Sequence, residues 1–444
     1  MLSRLLAVGT LGLALGGLAQ LSHPGPGASF SLTGDTLGLD QRDVRVFNNF
    51  VEPTANDNQT PDPDLPGALG ATQAIWKAHL EWGSVPFAGT GDQDPTQAVL
   101  GDGGANFDNT WQGETDGPGS ANGNVHSELF DPNPGSLLAF SQVPSSDGWK
   151  IQYLAGWPWQ DGPGDDGTLD LQGVATHEIG HVLGLAHTAA PGATMSASLS
   201  GSGVAARSLS ADDVAGLQAV YGVAAVDKPV ITGTSGSTNT GGLLVVHGSG
   251  FSATGNAVWF TKRDSDGDPV IVTGLASSQG GSRLELTVPA DVADGSLLVR
   301  RAGAGGASLS NEWPFDHDPG LFEDLGPSGL TGTSGEPRLT GAGDLTPGTG
   351  LFDIVCTGAQ PGALGFAFLS TQVNPTPFLG GTFYPFPIVS QLAFFFDGSG
   401  GFAATTTMSA AVTSGTGISI QFLFEDPGAA LGVSGSNGLR LVVP

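Results

Sequence analysis

The chain has 444 residues, enough for two to four domains with a sizeable core in each. Its 42 Asp and Glu against 14 Lys and Arg give a formal net charge of −28, which argues against nucleic acid and anionic membrane surfaces as partners, because both need a basic face. Glycine (72) and proline (30) are abundant, but apolar residues still reach 39% and recur in short runs, so the chain reads as folded, turn-rich and largely β.

Met1 to Arg4 is positively charged, Leu5 to Leu18 is apolar and small, and Gly17-Leu18-Ala19 resembles a cleavage site. Residues 1–19 are therefore expected to be a signal peptide, giving an exported, soluble mature chain that is secreted or held at the cell surface. The apolar stretch, roughly 14 residues, falls short of the roughly 20 that span a bilayer. Residues 20–38 are rich in Gly, Pro and Ser and are expected to be flexible.

From 39 to 224 strands and helices mix as in one α+β domain. Val44 to Phe47 alternates like a strand, and Asn56 to Pro66 reads as a loop. Leu69 to Trp82 puts Ala71, Ile75, Ala78 and Trp82 on one helical face. Ala88 to Asn124 is dense in Gly, Asp and Asn, a loop with room for one short strand. Strands are expected at Ser136 to Phe140 and at Trp149 to Leu154. Asp170 is a suitable N-cap for a helix over 171–183 that Gly184 ends. Ser210 caps a further helix over 211–220, whose first turn holds Asp212 and Asp213, where negative charge suits the helix dipole.

After Asp227-Lys228-Pro229 no helix is expected. Short strands separated by Gly/Asp/Ser turns suggest a β-sandwich over 228–316. A Gly/Pro-rich linker and the start of the last domain occupy 317–349, and a second all-β block runs over 350–444. The fold class is thus multidomain, an α+β domain followed by two all-β domains. The one cysteine, Cys356, excludes an intrachain disulfide and reads as a buried small hydrophobe.

The segment that carries chemistry is His177-Glu178-Ile179-Gly180-His181-Val182-Leu183-Gly184-Leu185-Ala186-His187, which holds three of the eight histidines. His177 and His181 are four apart and share one helical face. Gly184 lets the chain turn and bring His187 back to the same metal. Three neutral imidazoles leave a fourth position open, the arrangement of a catalytic rather than structural zinc. Glu178, next to the first ligand, can take a proton from water activated by the metal and return it to a leaving amine.

This segment has the H-E-x-x-H-x-x-G-x-x-H form of the metzincin metallopeptidases and is highly specific. Ala193-Thr194-Met195 resembles the methionine turn beneath the metal in that clan. Leu209 to Gly222 resembles the last helix of matrixin catalytic domains, the branch that includes the matrix metalloproteinases. Thr188 stands where matrixins usually carry Ser. The resemblance covers 39–224 and implies an upper part with a twisted sheet and two helices, a small lower part with Met195 and the last helix, and a substrate cleft between them. It implies a zinc endopeptidase acting on proteins or extended peptides, with His177, His181 and His187 on the metal, Glu178 as catalytic base, and Gly184 and Met195 supporting the site.

Two features depart from the vertebrate pattern. No cysteine precedes the zinc motif, so a propeptide cysteine cannot enforce latency. The central loops offer only His126, so one catalytic zinc is expected and no second. Calcium is the ion those loops could hold, through Asp92, Asp94, Asp102, Asp108 and Asp116.

Downstream, Pro229-Val230-Ile231, the stretch Gly242 to Phe251 and Ser310-Asn311 resemble an IPT/TIG immunoglobulin-like domain, which implies a spacer or binding module. Asp264-Ser265-Asp266-Gly267-Asp268 resembles part of a calcium loop but lacks the later Glu and reads better as a hairpin turn. A competing reading of the whole chain is an extracellular adhesion or binding protein in which the metzincin-like module is secondary; its large β share and acidic surface motivate it, and the intact Glu178 speaks against it. A monomer is expected.

Overall fold

The computed structural model describes residues 29–84, 100–117, 123–131, 135–145, 148–162, 168–198, 204–263, 268–318 and 320–444. The expected signal peptide, Asp92, Asp94 and most of the Asp264–Asp268 turn lie outside these residues. The chain forms two compact units: one runs to Gly236 and adds Leu243–Leu286 and Val292–His317, and the other comprises Ser237–Gly242, Thr287–Asp291 and Asp318–Pro444.

The first unit opens with β1 (Ser31–Leu32), β2 (Asp43–Phe47) and α1 (Gly70–Glu81). Next come β3 (Thr110–Thr115), β4 (Val125–Leu129), β5 (Ala139–Ser145), β6 (Gly148–Leu154), and the short pair β7 (Trp159–Gln160) and β8 (Leu169–Asp170). Then follow α2 (Leu171–Val182), β9 (Leu185–Ala186) and α3 (Ala211–Tyr221). The five longer strands form one sheet in the order β3-β2-β4-β6-β5, parallel except for the edge strand β5.

β4 has no counterpart in the sequence reading. Its His126, Ser127 and Glu128 are buried polar residues on a strand between two others, so alternation of apolar and polar residues never marks it. β5 begins later than its apolar run suggests, because the chain is still turning at 135–136.

α1 was expected to bury one face, yet all twelve of its residues are buried. Lys77 pairs there with Asp62 at 3.9 Å. α2 is likewise buried throughout. The Trp82 indole N–H, at the end of α1, donates to the Thr176 carbonyl of α2 at 3.0 Å, tying the two helices together. Their shared core includes Trp76, Trp82, Trp111, Trp149, Tyr153, Ile179 and Met195.

Part of the stretch expected to be flexible is tied down. β1 pairs antiparallel with β9, Ser29 N donates to Asp212 Oδ1 at 2.7 Å, and Leu37 N donates to the Tyr221 hydroxyl at 3.0 Å. Backbone pairing of this kind needs no apolar run, so a Gly/Ser-rich sequence conceals it.

The same unit continues into a two-sheet sandwich. β10 (Val230–Gly236), β11 (Leu243–Ser249), β14 (Ser277–Ser278) and β15 (Arg283–Thr287) form one sheet in the order β10-β11-β15-β14. β12 (Asn256–Lys262), β13 (Val270–Leu275), β16 (Val292–Arg300) and β17 (Trp313–Phe315) form the other, in the order β13-β12-β16-β17.

The second unit is all-β. A sheet of β18 (Phe322–Gly326), β28 (Gly438–Val442), β26 (Gly417–Glu425), β21 (Leu364–Ser370) and β24 (Ser390–Phe395) runs in that order, with β27 (Val433–Gly435) also on β26. β19 (Arg338–Gly343), β20 (Leu351–Thr357) and β25 (Phe402–Thr407) form a second sheet, and β22 (Thr376–Phe378) pairs with β23 (Gly381–Phe383). Its core holds Phe352, Phe396, Phe422, Phe424 and the free thiol of Cys356, which burial pushes up to about 12. Among the described residues no α-helix follows Tyr221, and no helix is long and apolar enough to cross a membrane.

Candidate metal centre

The site begins with the start of α2. Asp170 caps the helix by accepting from Gly173 N at 3.0 Å, and its carboxylate is gripped by Arg207 through Nε (2.8 Å) and Nη2 (2.5 Å). Both side chains are buried, so the fork of the guanidinium offsets the desolvated charge. From this start α2 carries His177 and His181 one turn apart on one face, with Glu178 beside them.

The helix stops at Gly184, whose φ is +100. A Cβ there would lie 2.3 Å from the Asp35 carbonyl, so both the conformation and the space demand glycine. The chain then reverses through β9 and returns His187. His181 Nε2 lies 3.2 Å from His187 Nε2, which lies 3.3 Å from His177 Nε2. Tetrahedral ligands about 2.05 Å from a zinc ion would be about 3.3 Å apart, so the two edges that meet at His187 have the spacing of a tetrahedral site.

The outer nitrogens fix the ring orientation. His177 Nδ1 donates to the Thr194 carbonyl at 2.6 Å, and His181 Nδ1 donates to the Leu185 carbonyl at 2.8 Å. With those protons on Nδ1, the Nε2 lone pairs face one another, an arrangement that a cation resolves and an empty space does not. Burial holds all three imidazoles below their ordinary proton affinity: His177 well below, His181 at about 4, and half-buried His187 less strongly. All three are therefore neutral at physiological pH, the form in which an imidazole can bind a metal. The triad is compatible with zinc, and among the described residues it is the one group of three or more His, Cys, Asp or Glu positioned to hold a metal.

Glu178 is fully buried, and neither carboxylate oxygen makes a hydrogen bond of ordinary geometry. Burial pushes its carboxyl up to about 8, opposed by the Ser141 hydroxyl of β5. A buried carboxylate with spare acceptors beside three neutral imidazoles is the chemistry expected around a bound cation and the water it activates.

Met195 follows Thr194, whose carbonyl holds His177, and is buried. A Cβ on Gly180 would lie 2.2 Å from the Met195 sulfur and 2.9 Å from the Trp82 ring, so Gly180 is a contact position rather than a variable filler of the motif. The methionine turn is held by Asp213 of α3: Thr194 N donates to Oδ2 at 2.8 Å and Met195 N to Oδ1 at 3.0 Å. The same carboxylate completes the capping box with Ser210. In the sequence Asp213 shows only its place in the first turn of α3, and no local pattern links 213 to 194 or 180 to 195.

Among the described residues, Asp102, Asp108, Asp116 and His126 join no second group of three or more possible ligands. Asp108 forms a buried ion pair with Lys228 at 2.7 Å and accepts from Ser84, and Asp116 accepts from Asn48. His126 is in the core rather than a loop, its Nε2 at 2.7 Å from His79 Nε2 and its Nδ1 at 3.0 Å from the Tyr153 hydroxyl.

Residues 120–222 match the family model described as Matrixin. Among curated proteins, matrilysin of Rattus norvegicus is 35% identical over 107 residues, which cover 24% of this chain and 34% of that protein. Stromelysin-3 of Homo sapiens is 52% identical over 96 residues, covering 21% and 18%, and neutrophil collagenase of Homo sapiens 46% over 95 residues, covering 21% and 20%. The chain spans about a third or less of the length of these relatives. The match includes α2, the three histidines, Met195 and α3, and supports a matrixin-like metzincin at this part of the chain.

Proposed function

We propose that this protein is a secreted zinc-dependent endopeptidase, with His177, His181 and His187 as the metal ligands and Glu178 as general base. The observation that carries the proposal is the meeting of three Nε2 atoms, at 3.2 and 3.3 Å along two edges, beside a buried carboxylate whose oxygens make no hydrogen bond of ordinary geometry. The Matrixin match over 120–222 supports the same reading.

A zinc ion in this triad would polarise a substrate carbonyl and make water nucleophilic near neutral pH. The chain's own residues do the rest. Thr194 and Leu185 carbonyls hold two of the imidazoles in the tautomer that offers Nε2. Glu178 holds the proton taken from the attacking water and passes it to the departing amine. Its affinity for that proton is raised by burial, and a bound cation lowers it again towards the working range. Proteins and peptides are the proposed substrates, and one zinc per chain the proposed cofactor.

Purified full-length protein should contain one zinc and cleave casein or a peptide library, and a chelator should stop cleavage until zinc is restored. Protein with full zinc occupancy that cleaves no protein or peptide would overturn the proposal.

A further inference from the structure

β3 is the edge strand of the five-stranded sheet, at the opposite side from β5. Such an edge exposes backbone groups that need a partner. Here the partner is the sandwich. Trp111 N donates to Glu312 Oε1 at 3.0 Å and to Ser296 Oγ at 3.3 Å, while Trp111 O accepts from Thr261 Oγ1 at 2.5 Å. One residue onward, Lys262 N donates to Gln112 Oε1 at 2.9 Å.

Glu312 is the centre of this junction. It is 4% exposed, and its two oxygens collect four donors: Trp111 N, Ser296 Oγ (2.6 Å), the Trp76 indole N–H (3.3 Å) and Asn109 Nδ2 (3.3 Å). Three of the four come from the peptidase side, from α1, the loop before β3, and β3 itself. Trp76 and Trp111 stack with ring centres 4.6 Å apart and planes 4° from parallel. The buried Asp108–Lys228 pair bridges the same two parts of the chain.

Elsewhere the seam leaves no room for a side chain at two glycines. A Cβ on Gly67, before α1, would lie 2.8 Å from Asp294 Cβ, and one on Gly306 would lie 2.1 Å from the Asn106 carbonyl. A linker-tethered spacer would not need an interior carboxylate satisfied from both sides, nor glycines at the seam.

We propose that the β10–β17 sandwich is the intramolecular partner that the peptidase fold requires, locked by Glu312, so that the functional unit extends to about residue 317 rather than ending after α3. The sandwich closes the β3 edge and holds α1 through Trp76, and α1 in turn backs the metal-carrying helix α2. Glu312 acts through packing, as a positioning residue, and the lock substitutes for the disulfides that a chain with one cysteine cannot form.

The test uses the full chain with a specific protease site inserted after Val226, which is fully exposed. After cutting, the two pieces are expected to co-elute on native size exclusion and to part only in denaturant. Glu312→Ala, which leaves buried donors without their acceptor, is expected to weaken reassociation of the cut pieces roughly a hundredfold or more. Exposed Glu285→Ala should leave it unchanged. Cut wild-type pieces that elute apart, with the N-terminal piece keeping its folded near-ultraviolet circular dichroism, would overturn the proposal. Should Glu312→Ala not fold uncut, the wild-type cut decides alone. Because the readout is association, failure here and failure of the peptidase proposal are separately visible.

Discussion

Burial acts on Glu178 and its neighbouring histidines in opposite senses, raising the carboxyl and lowering the imidazoles, so all four are uncharged or easily made so without a cation. Replacing Glu178 by Gln keeps the shape and removes the proton acceptor. The expected outcome is a fall in kcat of about 10²–10⁴ with zinc content unchanged, read by peptide hydrolysis alongside elemental analysis. Glu312 titrates far from that chemistry. Burial pushes it up to about 7, against the donors from Ser296, Trp76 and Trp111 that favour the anion and with Asp108 adding to the rise. A folded-state value above the unfolded one gives stability that is complete below about pH 4 and lost as pH rises through about 7. Wild type should therefore lose up to about 3 kcal/mol relative to Glu312→Gln between pH 4 and 8, measured by urea denaturation of both proteins. A flat difference across that range would contradict the burial argument. Of these residues the sequence displays His177, Glu178, His181 and His187 because helical spacing and a glycine stop are local rules. Glu312, Asp213 and Gly180 owe their roles to partners from 15 positions away (Gly180 and Met195) to 236 (Glu312 and Trp76), in different elements, and no local pattern announces those.

The helices were legible at the level of elements because their caps are: Asp170, Gly184 and Ser210 each stand where the structure uses them. What the sequence hid about Asp170 is its second task of holding Arg207. Asp170→Ala removes the cap and leaves a buried guanidinium uncompensated, and is expected to cost about 3–5 kcal/mol, seen as a lowered denaturation midpoint. Gly180→Ala tests the other side of α2. The new methyl would press on the Met195 sulfur, so zinc affinity should drop at least tenfold, while Met195→Ala in the same background should recover part of it; titration with a chromophoric competitor reads both. β4 was invisible because its buried face is polar, and β1 because two paired residues need no hydrophobic signature. In the sandwich and the last unit, β11 and β26 are rich in the apolar residues that mark a strand, whereas Gly or Thr is frequent in β10, β19 and β25 and gives no such signal.

At the scale of the whole molecule the acidic balance and single cysteine constrain what can hold the chain together. The first unit has an aromatic-rich core in its α+β part and a separate cluster of Trp259, Leu298 and Leu309 in its sandwich, and the second unit has a core of phenylalanines around β20, β21 and β26. Metal bound only to the folded first unit stabilises that unit alone by mass action. Calorimetry should therefore resolve two transitions, of which a chelator lowers one and leaves the other in place. Both transitions shifting equally would mean that the units do not fold as separate cores. The β character of the chain after Tyr221 was readable from turn-rich composition, whereas the sandwich, expected as a domain of its own, falls in the same compact unit as the α+β part. The close seating of the sandwich on β3 was not readable, because it depends on Trp76, Trp111 and Glu312 meeting across long sequence separations.

The most direct test of the central claim is zinc stoichiometry and peptide hydrolysis measured on the same samples of wild type and Glu178→Gln. The account predicts one zinc per chain in both, with turnover in the wild type and its near-complete loss in the variant. Equal turnover in the two proteins, or full zinc occupancy with no turnover in the wild type, would contradict it.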